Sequence, residues 1–266
     1  MGKKPDLTTI IGCAIGVGAV LAAMHFKHIH LSVFLNPAAT LIIFVGTVAA
    51  VMNSFTMKEL SSVGKLFDMI FNDAGKEDSN VEIIQKFFDL TVLARKEGLL
   101  VLEDEANRLE NKFMKKGLLM VVDGVDEGYI TEMLELDIES MEERHGTRAS
   151  IFSSAGAYAP TLGVLGAVFG LIAAMSNINE IEMMAEAVAA AFIATILGIF
   201  TGYVLWNPFA TKLKMKSKHE VLQKRMIIEG IICIQRGENP VLVKSRLAVF
   251  LQGNEQDQFS QDSKKD

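Results

Sequence analysis

The sequence predicts an all-α membrane protein with four transmembrane helices and a helical cytoplasmic domain. Three observations carry that prediction. Half of the residues are hydrophobic and only 22% are charged, with a mean hydropathy of +0.30. The charges gather in two blocks, and outside them lie four apolar stretches of the length, about 20 residues, that a helix needs to cross a bilayer core. Elsewhere the hydrophobic period is helical, and strand patterns are scarce.

The first span is Leu7–Phe26. Lys3 and Lys4 precede it as they would a signal peptide, but its apolar run is longer than a signal core and a second span follows closely, so it is read as a retained helix. "MGKKPD" also misses the myristoylation pattern, because Asp6 stands where Ser or Thr is needed. The other spans are Leu31–Phe55, Ile151–Met175 and Ala187–Phe209. Of the 26 lysines and arginines, two precede span one, 12 lie between spans two and three, and 11 follow span four. Only Lys27 falls in the two short connections. The positive-inside rule then puts both termini in the cytoplasm and two tight hairpins outside.

This divides the chain into residues 1–56, an outer hairpin; 57–148, a cytoplasmic helical domain; 149–209, a second hairpin; and 210–266, a cytoplasmic helix with a polar tail. In the cytoplasmic portion Leu102, Ala106, Leu109 and Phe113 share one helix face, and Ile130, Met133, Leu134, Ile138 and Met141 make a second stripe. Residues around Val221 to Ile234 repeat the pattern. Gly75, Gly98, Gly117 and Gly124 punctuate these helices, and "GNEQDQFSQDSKKD" is expected to be disordered.

Several function classes are excluded or disfavoured. The net charge of -6 comes from an acidic excess between Met57 and Arg148, which argues against nucleic-acid binding. Cys13 and Cys233 are not placed for a structural disulfide. His25, His28 and His30 lack neighbouring Cys, Asp or Glu and read as interfacial anchors, so no metal site is expected. There is no phosphate-binding glycine loop, HExxH motif or nucleophile elbow, so an enzyme is not expected.

The third and fourth spans hold the informative residues. Gly156, Ala159, Gly163, Ala167, Gly170 and Ala174 recur at three- and four-residue steps, as do Ala187, Ala191, Thr195, Gly198 and Gly202. Each series puts small residues on one face, where membrane helices approach closely; the plain reading is that the two spans pack together. Neither span carries Asp, Glu, Lys or Arg, so this chain supplies no titrating group of its own at that depth. Pro160 removes an N–H, frees the Gly156 carbonyl and should kink span three; Pro208 does the same to the Val204 carbonyl.

"YAPTLGVLGAVFGLIAA", "AAAFIATILGIFTGYVLWNPFATKLK", "LARKEGLLVLE" and "NPAATLIIFVGT" together resemble the MotA/PomA family of flagellar motor stator subunits, distantly related to ExbB and TolQ. The similarity covers nearly the whole chain. It implies a ring, pentameric in the family, around single-span MotB-type chains that carry the intramembrane aspartate. Ions crossing there would drive the ring, whose cytoplasmic loop turns the rotor protein FliG.

Matching the family residue by residue implies rotor contact for Arg95 and Glu103. It implies an ion pathway and partner-helix packing for Pro160, Gly163, Ala167, Gly170, Thr195, Gly198 and Pro208. Sodium-driven relatives carry a threonine where this chain has Ala167; hard cations need several oxygens, so protons are favoured over Na⁺ and no other cofactor is expected. A sodium-driven subunit of the PomA type and an ExbB/TolQ-like energy-transducing ring are the alternatives. A self-contained transporter would need an intramembrane charge or inverted repeats, and a scaffold without ion flux remains the plainest reading.

Overall fold

The computed structural model describes residues 5–29, 36–72, 79–251 and Gly253. Expectations resting on Lys3, Lys4, His30, residues 31–35, Gly75 and the tail beyond Gly253 lie outside the described residues. Among the described residues the architecture is helical, with a single antiparallel bridge between Pro5 and Asn72.

Helix α1 (Leu7–Phe26) opens where the Asp6 carboxylate accepts the Thr9 N–H at 3.2 Å. Helix α2 (Pro37–Thr40) is capped by Asn36, which accepts the Ala39 N–H at 3.0 Å. Pro37 stands at its start, where a missing N–H has no consequence. A widened π-helical turn, Leu41–Val45, leads into α3 (Gly46–Ser54). A capping box of Thr56 and Glu59 starts α4 (Met57–Leu60), followed by α5 (Val63–Phe71). A second capping box, Ser79 with Glu82, starts α6 (Asn80–Glu97).

A 3₁₀ turn, Leu99–Val101, leads into α7 (Leu102–Arg108), and Asn111 caps α8 (Lys112–Val122). Helix α9 (Glu127–Ser176) is 50 residues long. Helix α10 (Ile181–Phe200) passes through a second π-helical turn, Thr201–Trp206, into α11 (Asn207–Gln235). Asn239 and Pro240 then open α12 (Pro240–Leu247). Among the described residues, four helical stretches are long and apolar enough to cross a membrane: Leu7–Phe26, Pro37–Ser54, Glu127–Ser176 and Ile181–Gln235.

The chain forms two compact units, Met1–Gly75 with His145–Met215, and Lys76–Arg144 with Lys216–Asp266. The changeovers differ from the expected boundaries after residues 56, 148 and 209. The reason at the first is α5, whose Leu66 and Ile70 are buried in the first unit. They join an aromatic cluster in which Phe67 meets Phe152 edge-to-face at 5.2 Å and Phe71 meets Phe209 at 5.5 Å. Such pairs add about 0.5–1.5 kcal/mol each beyond area burial.

The second unit has an aliphatic core around Phe87, Met114, Ile130, Leu134, Ile138 and Ile231. Both expected stripes point into it, Met133 excepted, but the first is not one helix. It breaks at Leu109, where Asn111 accepts the Phe113 and Met114 N–H groups and starts α8 afresh. Gly117 does not punctuate a helix either. It sits inside α8, where a Cβ would overlap Ile231 and come within 3.1 Å of Leu134.

Candidate functional site

In the first unit, α9 and α10 meet through their small residues. A Cβ on Gly163 would stand 3.0 Å from the Ala194 carbonyl oxygen, and one on Gly170 2.8 Å from that of Ala187. From the other side, a Cβ on Gly198 would lie 2.5 Å from the Ala159 carbonyl oxygen and 3.0 Å from the Gly163 Cα. Only glycine permits backbones so close. The structure therefore brings Gly163, Gly170 and Gly198 together, and the faces that the family resemblance assigned to a partner helix are turned toward each other within one chain. Gly166 belongs to the same contact, with a Cβ position 2.7 Å from Ala194 Cβ. It falls between the residues of the small series, so periodicity alone did not select it.

Pro160 lies inside α9, which runs on without a break from Glu127 to Ser176. The neighbouring helix comes close at this point. Gly202, in the π-helical turn, approaches so closely that a Cβ there would stand 2.8 Å from Pro160 Cγ and 2.9 Å from the Gly156 oxygen that Pro160 frees. The turn itself is marked by the Asn207 N–H, which donates to the Gly202 carbonyl. It immediately precedes Pro208, whose ring cannot continue the ordinary ladder. Pro208 is exposed.

Thr195 is half-buried and its hydroxyl donates to the Ala191 carbonyl of its own helix at 3.2 Å. That bond uses only its O–H, so the oxygen keeps both lone pairs as acceptors. Ala167 is half-buried and offers no oxygen. Ser54 and Tyr158 join α3 to α9 through a 2.9 Å hydroxyl contact. The apolar stretches 151–175 and 187–209 carry no Asp, Glu, Lys, Arg or His. The fourth helix begins at Ile181, earlier than the expected Ala187, so Glu182 and Glu186 occupy its first turns.

A charged pair that spacing could not reveal ties down the start of α1. Asp6, only 5% exposed, faces Lys212 Nζ at 2.6 Å. Lys212 also donates to Thr8 Oγ1 at 2.9 Å, and the Asp6 N–H donates to the Phe71 carbonyl at 2.8 Å. Burial alone would push the Asp6 carboxyl upward. The bonds from Lys212, Thr8 and the Thr9 N–H outweigh it and hold the carboxyl well below the usual carboxylate range.

The second unit presents Arg95 in the last turn of α6 and Glu103 in the first turn of α7, both exposed. Gly98 separates the helices at φ 89°, a left-handed conformation that favours glycine, and its N–H closes α6 on the Ala94 carbonyl at 2.9 Å. Both charges suit their own helix ends. Among the described residues neither forms an ion pair. No cluster of three or more His, Cys, Asp or Glu residues capable of holding a metal occurs among the described residues.

Known proteins resemble this chain over most of its length. Residues 10–98 match the motility protein A N-terminal family model, and residues 105–226 match the MotA/TolQ/ExbB proton channel family. Motility protein A of Bacillus subtilis is 43% identical, covering 96% of this chain and 94% of the relative. Chemotaxis protein PomA of Vibrio alginolyticus is 31% identical, covering 92% and 95%. A chain in the structure of the flagellar MotAB stator complex from Bacillus subtilis superposes with a TM-score of 0.90, at 43% identity and covering 96% and 99%. These are descriptions of a motility protein and a proton channel family, not of an enzyme family. With small-faced helices that pack backbone to backbone and matches on both sides of residue 100, the chain belongs to the motility protein A family and is a membrane subunit of the flagellar stator.

Proposed function

We propose that the chain forms a ring, a pentamer as in its family, around a MotB-type partner, and that the complex conducts protons and turns the rotor protein FliG. The observation that carries this reading is the lack of any Asp, Glu, Lys, Arg or His in residues 151–175 and 187–209. A conducting complex needs a titrating group at that depth, so the acid belongs to another polypeptide. Pro160, Ala167 and Thr195 then line the path. Ala167 gives a dehydrated sodium ion no ligand, which favours protons. The lysine and arginine asymmetry supports both termini, and the second unit, on the cytoplasmic side of the plasma membrane. Arg95 and Glu103, exposed at adjoining helix ends, are the rotor contacts.

The test is expression in a motile host lacking its own stator genes, with and without a MotB-type chain. Swimming should require the partner, persist in sodium-free medium and stop with a protonophore. Swimming that depends on sodium overturns the choice of ion; torque or ion flux from this chain alone overturns the borrowed acid. Arg95→Glu should impair swimming more than Arg95→Ala, because reversing a charge adds repulsion where neutralising it removes attraction.

A further inference from the structure

Between Arg95 and Glu103 the chain exposes a large apolar side chain. Leu100, the middle residue of the 3₁₀ turn, is 75% exposed, whereas Leu102 two residues on is fully buried. Leu99 and Val101 on either side pack against the core of the second unit. The turn is thus fixed by three neighbours and by Gly98 at φ 89°, and Leu100 is the one member aimed outward. Exposed leucines occur singly on many proteins without meaning. This one lies between two sets of opposite net charge, Arg95, Lys96 and the acidic Glu97 before it and Glu103 with Asp104 after it. All five are exposed, and none forms an ion pair among the described residues.

We infer that Leu100 is the apolar anchor of the rotor-facing surface, with the flanking charges setting its register. The inference rests on the rotor reading of Arg95 and Glu103. It specifies the partner surface by chemistry: a protein face with a shallow apolar depression between an acidic group, opposite Arg95 and Lys96, and a basic group, opposite Glu103 and Asp104. Charge pairs of this kind govern encounter and orientation, and a desolvated side chain at the centre governs how long the contact lasts. A leucine on a rigid turn loses little freedom when it is covered.

The experiment places Leu100→Asn, Leu100→Met and Arg95→Glu in the full chain, co-expressed with the MotB-type partner. It reads the dwell time of fluorescent stator units at the motor, and proton flux through the purified complex. Leu100→Asn, which keeps size and loses apolarity, should shorten dwell time about fivefold to tenfold, as truncation of an anchor residue does. Leu100→Met should stay close to the parent, and flux should be unchanged in both. Unchanged dwell time for Leu100→Asn, with a shortened one for Arg95→Glu, overturns the anchor and leaves the rotor surface standing. If Arg95→Glu also leaves dwell time unchanged, the rotor surface itself is misassigned and the anchor falls with it. A loss of flux or of protein in Leu100→Asn shows a structural role and overturns the anchor.

Discussion

The α9–α10 contact and the core of the second unit both contain glycines at points of close approach, yet the neighbours differ in kind. At Gly198 the nearest atoms are the Ala159 carbonyl oxygen and carbon and the Gly163 Cα, all backbone. At Gly230 they are three ring atoms of Phe87, at 2.7 Å. In lipid the apolar side chains gain nothing by leaving solvent, so helices associate by bringing backbones together. In water the gain comes from burying large aliphatic and aromatic groups, and a glycine there simply makes room for one. The same residue type therefore marks a rigid contact in one unit and an adjustable one in the other.

The largest effect should come from Gly198→Leu. Its side chain must displace the α9 backbone, and we expect a loss of about 3 kcal/mol or more with no motile cells. Thermal unfolding of the detergent-purified stator complex measures it, and no side-chain change on α9 should restore it. Rescue by a smaller residue at any one position would erase the contrast. Next comes Gly230→Ala, expected to cost about 1–3 kcal/mol by pressing on Phe87. Here Phe87→Leu in the same chain should recover much of the loss, and a failure to recover would show that this glycine too is held by backbone.

Smaller again is Asp6→Asn, expected to destabilise the first unit by about 2 kcal/mol, since it leaves Lys212 beside a neutral amide. Because the folded carboxyl is held below its ordinary value, its contribution is complete at neutral pH and is lost only as pH falls below about 4. The parent and Asp6→Asn melting curves should therefore differ by a constant amount from pH 7 to pH 5 and converge in stronger acid. A difference that already shrinks by pH 6 would show that burial outweighs the bonds and holds the carboxyl above its ordinary value.

Much of the fold was legible because the patterns are local. Apolar length located the membrane helices, and the period of Ile130, Leu134 and Ile138 located one face of the second core. Glycine was ambiguous for a physical reason. It serves positive φ at Gly98 and Gly124 and close packing at Gly117, and sequence alone does not say which. The break between α7 and α8 was hidden because Leu102, Ala106, Leu109 and Phe113 keep helical spacing across a capping asparagine. Of the site residues, the glycines announced their contact through spacing, and the structure supplied its other half. Asp6 and Lys212 could not be paired from sequence, since 206 positions separate them and neither belongs to a periodic pattern.

The widened turn at Thr201–Trp206 has a geometric consequence beyond making way for Pro208. A π-helical turn takes up one residue more than an α-turn, so every later side chain lies about 100° in azimuth short of where an unbroken α-helix would carry it. The phase of the small residues facing α9 is thereby uncoupled from the phase of Lys212, and each can be aimed separately along one continuous rod. Were that turn to close into ordinary α-helix at the same length, the lysine would swing away from its carboxylate while the glycines above it stayed in place.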